Sequence, residues 1–130
     1  MIKLLSAMLA EHVVDSHAGM AIIPLLGNIA DDKRRGQSVK FPLECIAVVN
    51  LYGGREDEPF SLSGAICGPD ITDIDLGTHG YTWPPERAMS VYLTIKVNVP
   101  INAGGLYEVK INLNDEHLVS LGFLINWDEF

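Results

Sequence analysis

The chain has 130 residues, 48% of them hydrophobic and 20% charged, with nine basic against seventeen acidic side chains and a net charge of −8. This length fits one domain over residues 1–130 that buries a core without disulfide or metal staples, and so apolar a composition excludes a disordered chain. The acidic balance argues against nucleic acid, whose binding needs Lys and Arg to displace phosphate counterions, and against docking on an anionic membrane.

Residues 1–12 carry two opposed signals. Leu4, Leu5, Ala7, Met8, Leu9 and Ala10 have good helix propensity, but propensity yields to tertiary context. The strands that follow favour a strand here too. Lys3 and the short apolar run to Ala10 stop at Glu11-His12, which is brief for a secretory signal. Nothing approaches the ~20 apolar residues of a membrane span. The expected location is the cytoplasm.

Gly19–Ile29 is a candidate strand, with Pro24 pointing to an edge or a bulge. Asp31–Gly36 reads as a solvated loop. Leu43–Leu51 is rich in Val, Ile and Leu and ends at Tyr52-Gly53-Gly54, as expected of a central strand buried on both faces. A charged turn, Arg55–Pro59, leads to a strand through Phe60, Leu62 and Ala65 or Ile66, with Gly64 as a bulge.

Residues 68–90 are expected to be a long loop. Ile71, Ile74 and Leu76 could form one short strand inside it. Long connections in compact domains are usually functional or hold a further element of structure.

The clearest strand follows. Val91, Leu93, Ile95, Val97 and Val99 alternate with Tyr92, Thr94, Lys96 and Asn98, the period of two of a half-buried strand. Pro100 ends it. Asn102–Gly105 is turn chemistry. Tyr107, Val109, Ile111 and Leu113 alternate again, Asn114-Asp115-Glu116 reads as a hairpin turn, and Leu118–Ile125 returns. These three strands are expected to form a meander. The whole reads as an all-β protein, an antiparallel β-sandwich of about seven or eight strands.

The order of features also resembles a known group. Ala10-Glu11-His12 precedes Gly19–Ile23 and Leu26–Ile29; Phe41-Pro42 opens an apolar strand; a Val-Pro turn precedes Gly105-Leu106-Tyr107-Glu108-Val109, which leads to Asn114-Asp115-Glu116. This is similar to a bacterial family of short all-β proteins of unknown function, closed by a Gly-x-Tyr strand and an Asp-Gly-Glu-like hairpin. The hairpin here has Asn-Asp-Glu instead. The resemblance implies a β-sandwich and carries over no catalytic residue.

Few residues suggest chemistry. Cys45 and Cys67 lie in apolar segments and read as buried free thiols, with a cross-strand disulfide as the alternative. Asp70, Asp73 and Asp75 cluster, and calcium favours several carboxylates from one loop. The spacing is not that of a helical calcium loop, so they are weak metal candidates and no metal or other cofactor is expected. His12, His17, His79 and His117 form no ligand pair. Ser16-His17 is mere adjacency, no Gly-x-Ser-x-Gly is present, and Gly53-Gly54 lacks the rest of a phosphate loop. No catalytic residue is assigned.

Tyr81 and Trp83, ahead of Pro84-Pro85, are candidate binding residues, as is Trp127 near the C-terminal end. Aromatics on a stiff loop can stack on a sugar or anchor a partner. The bland alternative is that Trp83 caps the core. The expected function is therefore a non-enzymatic accessory domain that binds a protein partner or itself. The alternative is a ligand-binding module, for carbohydrate or calcium, using the 68–90 loop.

Overall fold

A computed structural model of the protein describes residues 1–16, 19–24, 28–30, 41–69, 71–85, 90–101 and 103–126. Nine strands are described: β1 (Lys3–Ser16), β2 (Gly19–Pro24), β3 (Asn28–Ala30), β4 (Phe41–Tyr52), β5 (Pro59–Gly68), β6 (Ile71–Thr82), β7 (Ser90–Ile101), β8 (Gly105–Leu113) and β9 (Glu116–Asn126). They form two sheets, ordered β2-β1-β4-β7 and β3-β9-β8-β5-β6. All pairings are antiparallel except that of β3 with β9. The all-β sandwich expected from the sequence is the observed fold.

The core lies between the sheets. From the first sheet, Leu43, Cys45, Ala47, Val49 and Leu51 of β4 meet Ile95, Val97, Val99 and Ile101 of β7. From the second come Phe60, Leu62 and Ile66 of β5, Tyr107, Val109 and Ile111 of β8, and Phe123 and Ile125 of β9. Alternate residues of a strand face one side, so the period of two read in β7 and β8 is the core pattern itself.

With β1 as A, β4 as B, β5 as C, β6 as C′, β7 as E, β8 as F and β9 as G, the order is A-B-E facing C′-C-F-G. That is an immunoglobulin-like arrangement. Two details agree with it. The Tyr107 hydroxyl, near the start of β8, donates to the Ala103 carbonyl at 2.6 Å, a tyrosine corner. Cys45 lies on β4, where such domains carry one bridging cysteine; its counterpart would stand two residues after the corner tyrosine, and Val109 is there.

β1 is a strand of 14 residues, as the strands that follow it favoured: pairing with β4 and β2 satisfies a backbone that propensity alone would have coiled into a helix. Several other expectations are corrected. The Gly19–Ile29 segment contains two strands in different sheets. The final three strands are no meander. β7 pairs with β4, and the chain crosses to the other sheet before β8 and β9 form a hairpin. Alternation says that a strand has one buried face; it does not say which sheet the strand joins.

The 68–90 segment is not mainly a loop. β6 is a 12-residue edge strand paired along β5. Its mixed exposure hid it: an edge strand with few fully buried positions lacks the apolar signature of its neighbours. The bulge lies in this pair. Gly64 faces Gly77 and Ala65 faces Asp75, so Leu76 is the extra residue and packs on the core.

The turns follow local chemistry. Asn114 and Asp115 both have positive φ, 50° and 65°, as a two-residue type I′ hairpin requires. Asn114 also extends the sheet: its Oδ1 accepts the Ser61 N–H at 2.9 Å, and its N–H donates to the Ser61 carbonyl at 3.0 Å.

Candidate functional site

The sequence-predicted aromatics do not form an exposed platform. Trp83 is 2% exposed and sits in the core beside Phe60, with ring centroids 6.0 Å apart. Its backbone continues the sheet: Trp83 N–H donates to the Glu58 carbonyl and its own carbonyl accepts from Asp57 N–H. Tyr81 is half-buried and stacks on Phe60 at 5.5 Å. It borders a shallow groove of about 510 Å³ with Pro59, Ser61, Thr82 and Asn114. A planar Tyr81–Trp83 pair for a sugar face is therefore absent, because the core takes the indole. Trp127 lies outside the described residues.

The aspartates do not converge as a metal cage. The Asp75 carboxylate accepts the Gly77 N–H at 2.8 Å across the bulge, and Asp73 lies 3.5 Å from Lys110. Asp70 lies outside the described residues. Among the described residues no group of three His, Cys, Asp or Glu side chains is placed to hold a metal. Cys45 and Cys67 are both free. Cys45 faces the core, and burial pushes its thiol up to about 11. Cys67 follows Ile66 on β5 and faces the other way, so the cross-strand disulfide is geometrically closed to them.

The two outer sheet faces differ in chemistry. On the β5-β6-β8-β9 side, Ser61, Ser63 and Thr78 lie beside Asp75, Glu108 and Lys110. Lys110 is already paired with Asp73, so this face carries more acid than base.

The outer face of β1-β4-β7 is the reverse. Register places Lys3 beside Tyr52, Ser6 beside Asn50 and Met8 beside Val48. On the other flank of β4, Tyr92 lies beside Asn50, Thr94 beside Val48, Lys96 beside Ile46 and Asn98 beside Glu44. Lys3, Ser6, Thr94, Lys96 and Asn98 are exposed. Tyr52 and Tyr92 are 38% and 47% exposed. Glu44 is the one acid among these described side chains. Two tyrosines, two lysines and a row of hydroxyls and amides thus share a sheet face with one carboxylate. β4 spans about 36 Å at about 3.3 Å per residue; the polar groups lie along its β7 flank and at its Asn50–Tyr52 end, while Met8, Ile46 and Val48 on the same face are apolar.

A further charge asymmetry escapes the whole-chain count. Lys33, Arg34, Arg35 and Lys40 fall within eight residues that hold no acid, leaving five basic against seventeen acidic side chains elsewhere. This window runs directly into β4 at Phe41. Charge counted in windows finds it; averaging over the chain hides it.

No family model matches the chain, and no curated protein matches it. Among solved structures it is similar to the Pseudomonas fluorescens alkylpurine DNA glycosylase AlkC bound to DNA containing an abasic site analog, with a TM-score of 0.54 and 11% identity. The match covers 96% of this chain and 30% of the glycosylase chain, so the chain spans under a third of that protein. At this identity the likeness shows a shared fold.

The neighbour nonetheless corrects two expectations. That this neighbour is bound to DNA stands against the exclusion of nucleic acid and against a non-enzymatic domain that binds a protein partner or itself. The physical reason is in the charges. A net charge of −8 does not fix the local potential, and phosphates respond to the local one. Among the described residues no helix is long and apolar enough to cross a membrane.

Proposed function

We propose that the chain is a nucleic-acid-contacting β-sandwich domain of the kind that accompanies a DNA-modifying enzyme. The observation that carries this reading is the outer face of β1-β4-β7, where Lys3 and Lys96 share a surface with Tyr52, Tyr92, Ser6, Thr94 and Asn98. Most protein–DNA hydrogen bonds go to phosphate and sugar, from lysine, hydroxyl and amide side chains of these types. In the sequence, Lys33, Arg34, Arg35 and Lys40 add four cations in the residues that precede β4. The DNA-bound neighbour supports the reading by fold. The acidic excess of the rest of the chain repels phosphate and so favours docking through this face.

The cytoplasm fits the same reading. Cys45 and Cys67 are free thiols, and thiols stay reduced in that compartment.

Fluorescence anisotropy with a labelled oligonucleotide, repeated across potassium chloride concentrations, tests the reading. Each phosphate contact removed lowers the slope of log K against log salt by about 0.9 for duplex and about 0.7 for single strands. A Lys3→Ala/Lys96→Ala double variant is expected to weaken binding and flatten that slope, and Lys33→Ala/Arg34→Ala/Arg35→Ala to do so further. Unchanged binding and slope in both variants would refute it.

A further inference from the structure

We propose that Asn50, between Tyr52 and Tyr92 on the outer face of the β1-β4-β7 sheet, forms a site for an unpaired nucleobase, which stacks on tyrosine and donates a hydrogen bond to the Asn50 side-chain oxygen. The proposal rests on the nucleic-acid reading and extends it from phosphate to base.

Asn50 is the one buried polar residue among the described side chains, at 5% exposure. Its Oδ1 is fully buried and accepts no hydrogen bond among the described residues. Buried polar groups are almost always paired, so an orphaned amide oxygen needs a reason. The described residues supply none. Asn50 stands two residues before the end of β4, on the face away from the core, two residues after Val48, which is buried on that same face. A valine would serve the strand better, since β-branched residues suit a pleated sheet.

What surrounds Asn50 is suited to a base. Its cross-strand neighbours are Ser6 and Tyr92, and Tyr52 lies two residues along. Both tyrosines are substantially exposed, and exposed side chains change rotamer within nanoseconds, which gives access to the amide. Aromatic faces stack on any base. Every base also carries a donor on its Watson–Crick edge: an exocyclic amine in adenine and cytosine, a ring N–H in thymine, both in guanine. In a duplex the opposite strand occupies those donors. A buried acceptor beside two tyrosines therefore selects an unpaired base. Lys3, beside Tyr52, and Lys96, four residues beyond Tyr92, hold the flanking phosphates.

The test compares labelled probes of about 12 nucleotides, within the usual span of a single-strand site: an ordinary single strand, a single strand of abasic units, and a duplex. Phosphates are equal in the first two and bases are not. The ordinary strand is expected to bind about tenfold tighter than the abasic one. Tyr92→Ala and Asn50→Val are each expected to erase that preference, so that the ordinary and abasic strands bind alike. Asn50→Val is also expected to melt at or above the wild-type temperature, since it removes a buried orphan. Equal binding of the two strands, or a preference that survives both variants, overturns the base site while leaving the phosphate track standing. Binding of no probe overturns the nucleic-acid reading and the base site with it. Tyr92→Ala alters an exposed side chain, so it reports on the site even if Asn50→Val does not fold.

Discussion

The backbone of Gly54 lies flat on the indole of Trp83: a Cβ at Gly54 would stand 2.1 Å from indole Cδ2. The contact closes one end of the sandwich, where the turn after β4 meets the strand end after β6. At the other end Gly68 covers the ring of Tyr107 in the same way, with a would-be Cβ 2.2 Å from its Cδ2. Each end of the core is thus sealed by an aromatic ring under a glycine.

Gly54→Ala is expected to destabilise the fold by about 3 kcal/mol, because overpacking forces the ring or the backbone to move. Gly80→Ala is the control. Nothing lies within 4 Å of its would-be Cβ, so its effect should stay within about 0.5 kcal/mol. Urea unfolding midpoints compare the two, and equal midpoints would contradict the packing described.

Tyr107→Phe keeps the ring and deletes the hydroxyl that donates to Ala103. A loss of about 1 kcal/mol is expected for that bond, with the apolar burial unchanged. Thermal melting measures it. A variant as stable as wild type would mean that the corner bond contributes nothing.

Burial holds the Cys45 thiol at about 11 instead of 9 in the folded protein. The unfolded thiol loses its proton first, so between these values the unfolded state binds fewer protons and stability falls as pH rises. Below pH 9 the contribution is fully present; it is lost on the way to 11. Cys45→Val is expected to lose less stability than wild type over that window. Parallel losses in the two proteins would contradict it. In the native state a thiol reagent should label Cys67, which is half-buried on the outer face, well before Cys45.

Asn114→Ala removes the acceptor of the Ser61 N–H and places a side chain with no αL preference at φ 50°. A cost of about 1–2 kcal/mol is expected, read from the denaturation midpoint. Asn114→Gly restores the backbone freedom and should recover part of it. No recovery would assign the whole effect to the lost hydrogen bond.

The fold was legible where burial is one-sided or complete. Val91–Val99 and Tyr107–Leu113 alternate because one face meets the core, and Cys45–Val49 is uniformly apolar because its outer side is also covered at Val48. β6 was not legible, since an edge strand with Asp73, Asp75, Thr78 and His79 exposed reads as a loop. The partner sheet of each strand was hidden as well, because that depends on crossings such as the one between β7 and β8 and not on periodicity. The candidate site was hidden for a related reason. Lys3, Tyr52, Tyr92 and Lys96 come from three strands far apart in sequence and meet only through register. The signals that were readable are the outward alternation of Tyr92, Thr94 and Lys96 and the basic window Lys33–Lys40.

The most direct measurement is an NMR titration of the ¹⁵N-labelled protein with a short single-stranded oligonucleotide. The account predicts shifts concentrated at Lys3, Ser6, Asn50, Tyr92, Thr94 and Lys96. Shifts confined to Ser61, Ser63, Thr78 and Lys110 on the opposite face, or no shifts at low salt, would contradict it.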